Sequence, residues 1–504
     1  MSSVEIHCDG KVYELAANEN ETLLSALRRA GFSIPAACGG RGKCGKCRVS
    51  VNGISRLACK VYPTERDTVL LPESAGGRIL TETQAISAAA TAQSGYAAAV
   101  DLGTTTVAVR VYELNSAKAV AEQSAWNAQS GYGADVISRI QHTIDSPDGL
   151  SELSSLIRAQ VQKLVEACLD EASISPSELK GIALAGNTVM QHVFAGLSVQ
   201  SIAVAPFKPQ TLFDGESCDE LLGAPVFYSP CVAGYVGGDI TAGLLAAGLY
   251  ESSERSLFLD IGTNGEMALG GADGFCCCAV ASGPAFEGAG ISCGMPALSG
   301  AVSRVGFDRG FLWETVGAVQ PRGICGSGLL DLIAVLLRLG AIDESGRLLP
   351  PEEAPESVRR HIKSDGRGNG VFYLTDEVYL TAQDVRNLQL AKAAVAAGIR
   401  VLLDKRGMDE TMLDNVYIAG GFGNYIDPES AMAIGMLPRL PKEKLKCVGN
   451  TSLAGAALAA LREENRAALL DIARKCDYIE LSGNRDFTRA FTDNMTLREA
   501  TPCR

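Results

Sequence analysis

The chain has 504 residues, 47% of them apolar and 20% charged, and a formal net charge of −13. Such a length leaves room for several domains, and the acidic balance excludes the basic footprint of a nucleic-acid-binding protein. No apolar run approaches the ~18 residues of a membrane span and no basic-then-apolar signal opens the chain, so its sixteen cysteines are expected as reduced thiols in the cytoplasm.

The first elements read as strand, strand, helix, loop, then strands. VEIHC and KVYEL alternate around the turn Asp9-Gly10, ETLLSALRRAG has helical spacing with a glycine stop, and RVSV and TVLLP follow as strands. That order is the order of a β-grasp domain over residues 1–78. The loop inside it carries Cys38, Cys44, Cys47 and Cys59, spaced C-x5-C-x2-C-x11-C. Plant-type ferredoxins use nearly this layout to hold a [2Fe-2S] cluster, and four crowded thiolates repel each other unless iron neutralises them. Gly39, Gly40, Gly42 and Gly45 free backbone amides to turn toward the sulfurs.

A structural zinc site is the rival reading, but it favours two narrow knuckles and Cys38 to Cys44 is too wide. Gly40 to Lys46 also mimics the start of a phosphate loop, yet Cys47 stands where a magnesium-binding hydroxyl is needed. Arg41, Lys43, Lys46, Arg48 and Arg56 crowd the cluster loop. They read equally as a solvated rim or as a docking site for an acidic redox partner.

Residues 79–95 are small, polar and aperiodic, a flexible linker. Beyond it strands alternate with helices, in two halves at 96–250 and 251–504. YAAAVDLGTTTVAVRVYEL from Tyr96 and LFLDIGTNGEMALG from Leu257 repeat one pattern: an apolar strand, Asp-x-Gly-Thr, a turn, another strand. In each turn the glycine lets amides hold phosphate oxygens, and Asp101 and Asp260 are expected to face one another and hold Mg2+ through water. A third glycine signal, VYIAGGFGNYID, brings Gly420 and Gly421 to where side chains would block a nucleobase. Asn187 and Asn450 each end a strand before a helix and read as hinge positions. Cys276, Cys277 and Cys278 read as small buried hydrophobes. No D-x-H-x-x-G cobalamin motif and no strand-linked G-x-G-x-x-G is found, so electrons are expected from an external donor.

In order, Asp101 to Thr105, Asp260 to Thr263 and Gly420-Gly421 match the two phosphate motifs and the adenosine motif of the actin, sugar kinase and Hsp70 superfamily. With the cluster domain, and with GNTVMQHVFAG, GYVGGDITAG, SGPAFEGAGISCGM, GICGSGLLDL and TAQDVRNLQLAKAAV, the chain resembles the ATP-dependent reductive activators of corrinoid proteins. Longer members of that family carry a further small domain where this chain has its short linker. The resemblance implies an α+β and α/β multidomain fold, a β-grasp ferredoxin-like domain joined to a duplicated RNase H-like (actin-like) ATPase. It implies an ATP-hydrolysing reductase that returns Co(II) to Co(I), with a [2Fe-2S] cluster, ATP and Mg2+ as cofactors. A corrinoid methyl-carrier protein, an external low-potential donor and a second copy of the chain are the implied partners, with no nucleic acid or membrane.

The residue roles implied are these. Asp101, Gly103, Thr104 and Thr105 touch phosphate or magnesium, as do Asp260, Gly262, Thr263 and Asn264. Gly420 and Gly421 lie beside adenosine, Glu266 and Glu287 orient water, and Ser327 and Gly328 form a nucleotide-side loop. The alternatives are an ATP-coupled electron donor to a non-corrinoid enzyme, an ATP-binding redox sensor and a small-molecule kinase.

Overall fold

Alternation writes the first sheet. In β1 (Ser2–Cys8) Val4 and Ile6 are buried around exposed Glu5, and in β2 (Lys11–Ala17) Leu15 and Ala17 are buried around exposed Ala16. The two strands form an antiparallel hairpin that pairs Val4 with Leu15. α1 (Leu23–Arg29) lays Leu23, Leu24, Ala26 and Leu27 into the same core. β3 (Arg48–Val51), β4 (Ile54–Leu57) and β5 (Thr68–Leu70) complete the order β2-β1-β5-β3-β4, with β1 and β5 parallel. This is the expected β-grasp arrangement.

The structure is a computed structural model that describes residues 2–8, 11–18, 21–30, 32, 34, 40, 42, 47–65, 67–71, 93–133, 135–215, 217–262, 264–420 and 426–498. Of the expected linker at 79–95, residues 79–92 lie outside the described residues. Described residues from 1–79, 90–211 and 215–228 belong to one unit, and those from 212–214 and 229–504 to another.

In the first unit, β6 (Tyr96–Leu102), β7 (Thr106–Glu113) and β8 (Lys118–Trp126) form an antiparallel meander. β9 (Leu179–Gly186) joins β6 in parallel, followed by β10 (Glu220–Leu221) and β11 (Ala224–Tyr228), in the order β10-β11-β9-β6-β7-β8. β6 is covered on both sides, which is why AAAV stands there as an unbroken apolar run. After α2 (Val136–Asp145), α3 (Gly149–Glu171) packs on β7 and β8 through Leu153, Ile157, Val161 and Val165, one residue per turn. α4 (Thr188–Phe194) is buried at every position.

The second unit opens with α5 (Gly238–Ala246) and repeats the sheet: β12 (Ser256–Ile261), β13 (Gly265–Gly271) and β14 (Gly274–Val280) form the meander. Two small three-stranded sheets follow, β15 (Ala301–Phe307), β16 (Phe311–Thr315) and β17 (Gly323–Ile324), then β18 (Ile362–Ser364), β19 (Gly370–Tyr373) and β20 (Tyr379–Leu380). β21 (Asn415–Ala419), β22 (Leu445–Gly449) and β23 (Cys476–Tyr478) complete the order β22-β21-β12-β13-β14-β23. Strand for strand, β12, β13, β14, β21 and β22 repeat β6, β7, β8, β9 and β11, so the two Asp-x-Gly motifs end equivalent central strands.

Around this sheet stand α6 (Gly326–Arg338), α7 (Glu356–Arg359), α8 (Ala382–Arg406), α9 (Pro428–Ala433), α10 (Thr451–Leu461), α11 (Glu463–Arg474) and α12 (Arg485–Asp493). Thr381 and Asp384 start α8 with a reciprocal capping box. Cys276, Cys277 and Cys278 on β14 are all buried, as small hydrophobes there should be. Asn187 and Asn450 cap α4 and α10, accepting from the Met190 amide at 3.0 Å and the Leu453 amide at 2.9 Å.

α5 and α10 touch backbone to backbone: a Cβ on Gly455 would lie 2.1 Å from the Ala242 carbonyl oxygen. Gly455→Val is therefore expected to destabilise the second unit by about 1–3 kcal/mol, read as a lower midpoint in urea unfolding followed by tryptophan fluorescence and circular dichroism.

Candidate functional site

β6 delivers the first turn, Gly103 to Thr105, and a Cβ on Gly103 would meet the Thr106 carbonyl oxygen at 2.6 Å. Only glycine lets this turn close. Three side chains from separate elements then hold it. Asn127 donates to the Gly103 carbonyl at 2.8 Å, Arg139 to the Thr104 carbonyl at 2.5 Å, and Asn187 to the Thr104 hydroxyl at 2.9 Å. Asn127 and Arg139 are fully buried. The Arg139 guanidinium also donates to the Gly133 carbonyl at 3.2 Å and the Gln129 side-chain oxygen at 3.1 Å. Half-buried Asp101 pairs across the sheet with Ala108 and Ala185, small neighbours that leave its carboxylate room.

The second turn is more acidic. Asp260 pairs with Glu266 on β13 and with Ala419 on β21. Glu266 is buried, and its carboxyl is raised well above the ordinary range by that burial and then by the charges of Asp239 and Asp260. Asp239 comes from the first turn of α5 and is half-buried. The Gly262 amide donates to the Asn264 carbonyl at 2.8 Å, and Ser282 donates to the Gly262 carbonyl at 3.0 Å. A Cβ on Gly262 would lie 3.7 Å from a Glu287 carboxylate oxygen, so that side chain stands beside the turn. Gly420, at φ +85°, ends β21 so close that its Cβ would sit 2.4 Å from Asp260 Oδ1. Thr263 and Gly421 lie outside the described residues.

Asp260, Gly262, Asn264, Glu266, Glu287 and Gly420 are thus gathered at one end of the second sheet, while Asp101, Gly103, Thr104 and Thr105 stand at the equivalent end of the first. Ser327 and Gly328 are placed differently. The buried Ser327 hydroxyl donates to the Ser303 carbonyl at 2.9 Å, and a Cβ on Gly328 would meet the Val302 carbonyl at 2.2 Å. Their side-chain positions join α6 to β15. Sequence reasoning missed Asn127, Arg139 and Asp239. An arginine on the apolar face that Val136 and Ile140 define on α2 was the one available signal. Among the described residues, no group of three or more His, Cys, Asp and Glu side chains converges tightly enough to hold a metal ion directly. Loosely gathered carboxylates suit a Mg2+ that keeps its waters.

In the β-grasp domain, Cys47 and Cys59 are buried, and the Ala58 amide joins their segments by donating to the Cys47 carbonyl at 2.7 Å. Gly40, at φ +84°, lies beside them, its Cβ position 3.8 Å from Cys59 Cβ. Two buried cysteines on hydrogen-bonded segments, with a glycine backbone against one of them, fit a cluster loop. Cys38 and Cys44 lie outside the described residues.

A family model described as the 2Fe-2S iron-sulfur cluster binding domain matches residues 6–64. The RACo middle region matches 96–252, and the C-terminal domain of RACo, the ASKHA domain, matches 254–502. The corrinoid activation enzyme RamQ of Eubacterium limosum is 32% identical over 415 residues, 79% of this chain and 70% of that one. A solved reductive activator for corrinoid, iron-sulfur protein is 30% identical, with a TM-score of 0.71 over 99% of both chains. The chain belongs to the reductive activators of corrinoid proteins. A more distant member, the [Co(II) methylated amine-specific corrinoid protein] reductase of Methanosarcina barkeri, is 25% identical over 359 residues, 63% of each chain. Membership gives this activator its cofactors: a [2Fe-2S] cluster in the first domain, and ATP with Mg2+ in the ASKHA fold.

Two outcomes follow from the second turn. Between the ordinary carboxylate range and the raised value of Glu266, the folded protein binds one proton more than the unfolded chain. Stability of the ATP-free activator therefore falls as pH rises through that window. Thermal melts from about pH 5 to about pH 8 should show the fall in the wild type and a flatter profile in Glu266→Gln; equal slopes would refute the assignment. Gly420→Ala should cost about 1–3 kcal/mol, and a double-mutant cycle with Asp260→Gly should recover part of it.

Proposed function

We propose that this protein is an ATP-hydrolysing activase that returns a corrinoid methyl-carrier protein from Co(II) to Co(I). The observation that carries the proposal is the union, in one chain, of a cluster domain and a duplicated sheet whose two central strands end in Asp-x-Gly turns. An electron site alone makes a carrier, and a nucleotide fold alone makes a kinase. Joined, they suit a reduction that needs more driving force than the donor supplies.

Cys38, Cys44, Cys47 and Cys59 are the proposed ligands of the cluster, which supplies one electron per cobalt. Plant-type clusters sit near about −400 mV, and each 100 mV of shortfall costs about 2.3 kcal/mol per electron. Binding energy provides such amounts when the ATP-bound activator prefers one state of its partner over another.

The turn at Gly103 to Thr105 is assigned to phosphate through its amides and hydroxyls, with Asp101 toward Mg2+-bound water. Arg139 and Asn127 fix the carbonyls of that turn, keeping its amides pointed outward. Asp260, Gly262, Thr263 and Asn264 take the equivalent role in the second sheet, with Asp239 as a further carboxylate toward the magnesium shell. Gly420 and Gly421 are assigned to the adenosine. Of the two candidate water-orienting groups, half-buried Glu287 fits the task better. Glu266 holds its proton and is a poor acceptor until a cation lowers its pKa. The electron donor is external, since no flavin or nicotinamide motif stands in the chain. Among the described residues no helix is long and apolar enough to cross a membrane, and we place the protein in the cytoplasm.

Mixing the protein, a reductant and a Co(II) corrinoid protein should yield the Co(I) absorbance only with Mg-ATP; a signal independent of ATP would overturn the reading. Asp101→Asn should lower ATP hydrolysis about 100-fold or more while leaving the cluster's electron paramagnetic resonance spectrum unchanged. Cys59→Ser should alter that spectrum and abolish Co(I) formation.

A further inference from the structure

The charges of the β-grasp domain are sorted by position. Between Glu21 and Glu65 the sequence carries eight Lys and Arg and no Asp or Glu, within a chain of net charge −13. Away from the cluster loop, such side chains have close partners: the His7 ring lies 2.5 Å from Glu5, and Arg29 forms an ion pair with Glu21 at 2.9 Å. Next to the loop the cations lack such close contacts, and Arg56 acts on Asp67 only through its charge. Arg48 directly follows Cys47, Lys60 directly follows Cys59, and Arg56 lies opposite Val49 on the edge strand β4. All three are exposed, and among the described residues none is within salt-bridge distance of a carboxylate. The Lys60 stem lies against Gly42, where a Cβ would meet its Cε at 2.3 Å. Tyr62, 61% exposed, and Ile54, 57% exposed, add two isolated apolar contacts.

We propose that this rim is the landing site of the electron donor, an acidic low-potential carrier protein that docks over Arg48, Arg56 and Lys60 beside Cys59. The inference deepens the functional reading above and rests on its cluster assignment. Charge and size choose the donor over the corrinoid protein. An ATP-dependent complex that holds one cobalt state needs a large, largely apolar contact, whereas a redox carrier that must arrive and leave at each turnover uses a small, charge-steered one. Among the described residues the rim offers these cations and the two exposed apolar side chains of Ile54 and Tyr62. The step itself is one electron from the reduced carrier to the oxidised cluster, with no bond made or broken.

Reduced flavodoxin, an acidic flavoprotein with its own spectrum, is the probe, and photoreduced deazaflavin, a small neutral one-electron donor, is the control. In stopped-flow reduction of the holoprotein, the flavodoxin rate constant should fall about tenfold as salt rises from low to physiological ionic strength. It should fall by a similar factor in the triple variant Arg48→Glu, Arg56→Glu, Lys60→Glu, and by less in the corresponding Gln variant. Binding of oxidised flavodoxin, measured by calorimetry, should weaken in the same order. The deazaflavin rate should change far less than the flavodoxin rate, and the midpoint potential, measured alongside, separates any shift caused by the altered charge from loss of docking. Equal slowing with deazaflavin, or indifference of flavodoxin to salt and substitution, would overturn the proposal. So would variants that accept electrons normally from flavodoxin but fail to reduce the corrinoid protein, which would assign the rim to that partner. A holoprotein that deazaflavin cannot reduce would fail the cluster assignment itself.

Discussion

Two carboxylates set directly opposite each other on neighbouring strands govern the second sheet. Asp260 and Glu266 share one face at the strand ends, and Asp239 adds a third carboxyl group from the start of α5. Water cannot screen them well, because Glu266 is buried. A fold can hold such a group in two ways: keep a proton on one member, or bring a cation among them. The turn at Gly262, the close approach of Gly420 and the position of Glu287 all make sense around that choice. They line a place where positive charge is wanted and side-chain bulk is not. On the proposed assignment a magnesium nucleotide would relieve this arrangement, and ligand binding and folding would then be linked.

The duplication puts the same backbone solution in both halves but staffs it differently. In the first sheet the turn is braced by neutral amides and one buried guanidinium on its carbonyls. In the second, the corresponding region is crowded with carboxylates. One turn is thereby stiffened by polar partners and the other is surrounded by carboxyl groups.

Much of this was legible from residue order. The paired Asp-x-Gly turns, the strands beside them and the β-grasp succession are local patterns, written in periodicity and in glycines with a steric duty. Where the sequence fell short, tertiary packing was the cause. Arg139 is 35 residues from Thr104 and meets it only because α2 lies across the turn. Asp239 reaches Glu266 through helix packing, with no motif linking them. Ser327 and Gly328 looked like an anion-facing helix start, yet their hydroxyl and missing Cβ serve the joint with β15. Asn187, read as a hinge, both caps α4 and grips the Thr104 hydroxyl. A cap and a ligand-turn contact look alike in a string of letters.

The approach of Gly420 to Asp260 also bears on how this family can change. A side chain at 420 meets the carboxylate oxygen of Asp260, which would have to turn away, at a φ of +85° that already disfavours any residue but glycine. A lineage that abandons the acid gains freedom at the glycine, and one that keeps the acid has none. The two positions should drift together or not at all. Divergent descendants that have lost nucleotide chemistry would then betray it first at position 420, where a bulkier residue marks the fossil of a vacated site.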